Sequence, residues 1–350
     1  MVSLYENISA PKMPLLFFTK TLLIVSAVTV LAAAQVEALE SEAASVESAR
    51  KPGEVTQMQG PSLPELVVTS VNPPAADNAP NGEILPRVSF GEAAKTLWLE
   101  SVGMVGMMTF TGFSKWKWGS ASFRFNSEGW FGMTTGSGGM DKLGHFFAGY
   151  AIADLLYWRL GHYKGKTANV SLYPVAYSMA LMLYVEFFDG FSVDHGWSWE
   201  DVIMDAAGAG LSILRYAFPR VEQLVDFRFA YAPSKGQKGF HPIIDYAGQK
   251  YLLVFKLAGI PPLQKTPLRL MELMLGYYTR GFLKQDISHA ERNASLFFGI
   301  GLNLEQFLFR PLEKKVSPYF NVLTTVSQHF QMPYVYQPIT IQERITPRRN

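Results

Sequence analysis

The chain has no cysteine. Disulfides, thiolate chemistry, cysteine-ligated zinc and a lipid-bearing N-terminal cysteine are therefore not expected. Charge is also scarce. Only 17% of residues are Asp, Glu, Lys or Arg, against about 25% in ordinary soluble domains. The formal net charge of +2 is too small for a nucleic-acid footprint. No internal repeat, phosphate-cradling glycine loop, H-E-x-x-H or G-x-S-x-G motif is present, so the spacings that announce a common reaction are missing.

Apolar and aromatic side chains are plentiful. Hydrophobic residues make up 48%, with 25 Phe and 16 Tyr. That mixture suits a chain lying against or partly inside a bilayer, where aromatic rings favour the interface. Lys12 and Lys20 precede the apolar run "LLIVSAVTVLAAA" at 22–34, and "VEA" follows at 36–38. The run is shorter than the roughly 20 residues of a spanning helix and has the layout of an export signal. Residues 1–38 are the expected signal peptide, giving a mature start near Leu39, or near Gln35 if cleavage follows Ala34. An uncleaved anchor would leave the remainder on the same side of the membrane. Residues 39–88 are rich in Ala, Ser, Glu and Pro and read as a disordered tether.

The fold class expected is α+β: an apolar bundle of about four helices over 89–220, then a smaller antiparallel β-rich module over 221–345. Good helix formers fill 91–110. An aromatic loop region spans 112–139. Further helices are expected at about Asp141–Leu160, Ser171–Asp189 and Trp199–Phe218, each apolar on more than one face. After Pro219 the texture changes to short β-formers at 225–233, 249–259, 270–282 and 294–304, separated by turn residues. The segment starting at 270 could also begin as helix.

Ionisable residues concentrate at three helix ends. Asp141 and His145 are four apart and share a face. Asp141 also has the position of an N-cap, and Lys142 lies beside it. Glu186 and Asp189, three apart, stand at a helix C-terminus, where negative charge opposes the macrodipole at about 0.3–1 kcal/mol each. They need a partner: Lys142, His145 or a metal ion. Ser198 and Asp201 fit a capping box with Ser198 as N-cap. Asp205 lies one turn further and has no cap to serve. "AAGAG" at 206–210 offers a smooth strip for close helix approach. The expectation is a buried polar cluster of Asp141, Lys142, His145, Glu186, Asp189, Ser198 and Asp201, with His145 in reach of Glu186 or Asp189 and Asp201 beside them.

"W…MDKLGHFFAGY", "E-x-x-D-G" and "S-W-E-D-x-x-x-D-x-x-G" resemble the YfiM-like family of predicted periplasmic lipoproteins and, more distantly, the VanZ-like membrane family. The resemblance covers about 123–212. It implies an envelope location and a polar cluster, with signature positions at Asp141, Lys142, His145, Glu186, Asp189, Ser198, Asp201 and Gly208, without assigning a reaction. Two departures stand out: Asp205 replaces the family's usual Asn, and no lipidated cysteine is available.

Three functions compete. The leading one is an exported, membrane-associated envelope protein on the periplasmic side. It would bind membrane lipid or an envelope protein, with no nucleic acid and no required cofactor. The alternative is a metal-dependent hydrolase or transferase acting on lipid or cell-wall material, with a divalent ion on Asp141, His145, Glu186 and Asp189 and with Asp201 or Asp205 as general base. A third is a small-ligand carrier using the aromatic loop 113–131.

Overall fold

In a computed structural model, residues 88–164, 172–234, 240–282, 292–315, 320–332 and 335–339 are described. The expected signal and all but the last residue of the tether lie outside them. So do residues 340–345 of the expected β-rich module.

The order of elements is helical, then β. Helices α1 (Phe90–Thr96), α2 (Trp98–Lys115), α3 (Met140–Lys164), α4 (Tyr173–Asp189), α5 (Trp199–Ala217) and α6 (Pro219–Leu224) come first. Strands β1 (Val225–Tyr231), β2 (Gln249–Lys256), β3 (Met271–Arg280) and β4 (Asn293–Leu302) follow. Two short helices, α7 (Arg310–Lys315) and α8 (Phe320–His329), lead to β5 (Tyr336–Ile339). The sheet is an antiparallel meander in the order β1-β2-β3-β4-β5. The expected α+β architecture is therefore the one observed. The segment from 270 is strand, because alternate residues of β3 are buried and outward-facing.

Helices α3 and α5 cross so closely that their backbones touch. A Cβ on Gly208 would fall on the carbonyl of Phe146, and one on Gly149 would fall on the carbonyl of Asp205. Only glycine fits these two positions. On one flank of this pair, α1, α3 and α4 enclose an apolar core around Leu97, Leu156, Leu181, Val185 and Phe188. On the other, Phe146 and Phe147 of α3 pack on Phe227 and Phe229 of β1, with ring centroids 4.6 and 5.5 Å apart.

A buried ion network ties the sheet to the helices. Asp226 of β1 is met by Arg215 of α5 at 2.7 Å, by Arg228 at 2.6 Å and by Lys256 of β2 at 2.7 Å. Arg228 also grips Glu272 of β3 at 2.8 Å, and Glu305 pairs with Lys256 at 3.6 Å and with Arg310 at 2.5 Å. Asp154 of α3 lies 3.6 Å from Arg215 and 3.1 Å from His329 of α8. Asp154, Asp226, Glu272 and Glu305 are thus balanced by Arg215, Arg228, Lys256 and Arg310. A network balanced in this way can fix one arrangement of elements even when it adds little net stability.

Helix α2 is apolar on both faces: Met104, Val105 and Met108 pack against the core of α1, α3 and α4. Its buried residues are Ser101, Thr109 and Gly112. Ser101 and Thr109 each share a 2.7 Å hydrogen bond with a tyrosine of α4, Tyr173 and Tyr184 respectively. Leu99, Val102, Met107, Phe110 and Phe113 recur at helical spacing on the opposite face and are exposed, Phe110 to 75%. An ordinary surface helix keeps its outer face polar.

Candidate functional site

The helix ends converge as expected at the α3–α5 crossing. His145 sits one turn into α3, and the glycine contact brings it directly against α5. Its Nδ1 lies 3.1 Å from Asp205 Oδ1 and 3.5 Å from Glu186 Oε1 at the end of α4. Its Nε2 lies 3.9 Å from Asp201 Oδ1. His145 therefore reaches Glu186, and Asp201 is beside them.

Ser198 caps α5: its hydroxyl accepts the Asp201 amide at 3.3 Å. Its own amide donates to Glu186 Oε2 at 3.1 Å, so one residue starts α5 and orients the carboxylate that closes α4. Asp141 is not the N-cap of α3. It lies within the first turn, where its amide donates to the Ser137 hydroxyl at 3.2 Å. This leaves its carboxylate free to accept from the Tyr246 hydroxyl at 2.7 Å and from Lys142 Nζ at 3.0 Å.

Lys142 takes partners other than the helix end at 186–189. Its ammonium meets Asp201 at 2.7 Å, Glu128 at 2.9 Å and Asp141 at 3.0 Å. Asp189 also stands apart from His145, because its carboxylate accepts the Trp118 indole N–H at 2.6 Å. Among the expected residues, Asp141, His145 and Asp201 form one group able to converge on an ion, and His145, Glu186 and Asp205 form another.

Burial dominates the electrostatics. It pushes the Glu186 carboxyl up to about 9 against the opposing pull of His145. It pushes Glu128 up to about 8, with Asp141 adding to the rise, and Asp189 up to about 6. Asp205 is raised for the same reason. Burial acts against the charged forms of Asp141 and His145 too, but their partners prevail: His145 and Lys142 hold Asp141 below the usual range, while Asp201 and Asp205 hold His145 well above its ordinary value.

Glu128, Tyr246 and Trp118 were not foreseen as members. Glu128 lies in the aromatic loop and Tyr246 between β1 and β2, so neither carries a periodic signal. Beside the cluster, Phe125, Trp130, Trp197, Trp199 and Ile203 line an open cleft of about 350 Å³.

Residues 127–217 match a family model described as a predicted periplasmic lipoprotein (DUF2279). This segment largely coincides with the stretch that carries the resemblance noted above and holds every residue of the cluster except Trp118 and Tyr246. The family description agrees with export and membrane association. No curated protein and no solved structure matches the chain.

Proposed function

We propose that the protein works at a membrane surface of the cell envelope as a lipid-binding module, with α2 laid in the interfacial region. The observation that carries this reading is the exposed apolar stripe of α2, set opposite a face whose hydroxyls are buried against tyrosines of α4. Water gives no reason to place Ser101 and Thr109 inside and Phe110 outside; hydrocarbon does, because hydroxyls then find partners within the bundle while apolar side chains meet lipid. None of the described helices is long and apolar enough to cross a membrane. Helix α2, with 18 residues, is about 27 Å long and its exposed stripe suits an in-plane orientation.

The surface continues past the end of α2 through aromatic contacts. Phe123 packs on Phe187 at 6.0 Å and on Phe125 at 5.3 Å, and Trp197 packs on Trp199 at 5.6 Å. Lipid is favoured over a protein partner because the stripe has no charged residue between Val102 and Phe113. The lipoprotein description of the matched family supports the same location, and the 350 residues contain no cysteine to carry a lipid.

Flotation of the purified full chain with phosphatidylcholine–phosphatidylglycerol vesicles tests this. Wild type should rise with the vesicles, and Val102→Glu/Phe110→Glu should remain at the bottom while melting like wild type. A wild type that self-associates in buffer and ignores vesicles would show that a second copy covers the stripe and would overturn the reading.

A further inference from the structure

We propose that His145 Nδ1, Glu186 and Asp205 form a binding site for one first-row divalent cation, for which Zn²⁺ is a suitable probe. The two ion networks of the molecule differ in a way that points here. Around Asp226 the charges cancel. Around His145, by contrast, five carboxyl groups (Glu128, Asp141, Glu186, Asp201 and Asp205) gather about two cationic side chains among the described residues, and one of these, Lys142, is engaged by Glu128, Asp141 and Asp201. Glu186 and Asp205 thus share His145 as their one cationic neighbour among the described residues.

The hydrogen bonding has the same gap. Two carboxylates approach the same Nδ1, at 3.1 and 3.5 Å, but one imidazole nitrogen carries at most one proton and can satisfy only one of them. Asp205 Oδ2 is fully buried without a hydrogen-bond partner. A buried carboxylate oxygen left without a partner is costly.

A cation between the three groups resolves each of these points. With metal–ligand bonds of about 2.0–2.2 Å, neighbouring ligand atoms stand roughly 2.9–3.5 Å apart. The two separations at Nδ1 fall at that spacing. The outer atoms are arranged to hold the ligands. Asp201 Oδ1 stands 3.9 Å from Nε2 and is anchored by Lys142 at 2.7 Å. The Ser198 amide fixes Glu186 Oε2 and leaves Oε1 facing His145. Ligating carboxylates are usually held by an outer hydrogen bond of this kind. One imidazole with two carboxylates suits Zn²⁺ or Mn²⁺ better than Ca²⁺. His145 and Asp141 keep 14% and 16% side-chain exposure, which gives an ion a route in.

The test is calorimetric titration of Zn²⁺ into the chelator-treated full chain, with thermal melts in parallel. Wild type should bind one Zn²⁺ per chain and gain about 5–10 °C at a hundredfold excess over Kd. Asp205→Asn and Glu186→Gln are near-isosteric and relieve acid crowding, so both should fold without metal. Each should lose at least 100-fold in Zn²⁺ affinity, more than a second-layer change costs. His241→Ala, outside the three proposed ligands, should bind as wild type. No binding by wild type, unchanged binding by both carboxylate variants, or loss of binding in His241→Ala would overturn the proposal.

Discussion

His145 of α3 and Asp205 of α5 meet at 3.1 Å because Gly149 and Gly208 let the two helix backbones touch. The contact is set by the absence of side chains a turn away. A methyl at 208 must push α5 off the Phe146 carbonyl and carry Asp205 with it. Gly208→Ala should therefore destabilise the fold by about 1–3 kcal/mol or more, despite the better helix propensity of alanine. Urea denaturation measures this, and an unchanged midpoint would mean that the helices are not in backbone contact.

Lys142 is the sole cation shared by Glu128, Asp141 and Asp201 among the described residues. Lys142→Met keeps the stem and removes the charge, leaving a crowded group of buried acids. The expected loss is about 3–5 kcal/mol, as for other buried pairs broken on one side. Lys142→Arg should retain part of it. Chemical denaturation of the two variants separates charge from packing; equal losses would assign the role of Lys142 to shape.

The network around Asp226 should make the fold acid-sensitive. Burial alone would raise this carboxyl, but Lys256, Arg228 and Arg215 hold it well below its ordinary value. A depressed folded-state pKa contributes stability that is fully present above the unfolded value of about 4 and is lost as pH falls towards the folded one. Asp154, lowered chiefly by Arg215 against the effect of burial, acts in the same direction. Melting temperatures should drop steeply from pH 4.5 to pH 2.5. A flat profile there would show that the three cations do not favour the ionised form of Asp226.

The two faces of α2 make contrasting mutational predictions. Thr109→Val should destabilise by about 1–3 kcal/mol, because it removes the 2.7 Å hydrogen bond to the buried Tyr184 hydroxyl. Phe110→Ser, on the outer face, should stay within about 0.5 kcal/mol in lipid-free buffer. Losses of the opposite order would restore an ordinary amphipathic orientation to α2.

Much of this was legible in the sequence. The three helices bearing the cluster are marked by apolar periodicity and by Ser198, and the four long strands by the change of texture after Pro219. The meeting of His145 with Glu186 follows from two carboxylates set against their own helix dipole. Other features left no local trace. Lys142 turns to Glu128 because a loop residue, placed only by tertiary packing, comes within reach. Asp189 is satisfied by Trp118, 71 residues away. The Asp226 network joins α3, α5, the sheet and α8, so its charges look unpaired when read along the chain. The short strand β5 pairs through β4, and the inward side of α2, apolar all round, emerges only when the tyrosines of α4 take up Ser101 and Thr109.

The absence of native cysteine permits the most direct test of the membrane assignment. Phe110→Cys, labelled with an environment-sensitive fluorophore or a nitroxide, reports from the centre of the exposed stripe; Arg269→Cys reports from the sheet module. With vesicles added, the label at 110 should move into an apolar, oxygen-accessible environment while the label at 269 stays in water. A label at 110 that remains in water on vesicle-bound protein would contradict the role assigned to α2.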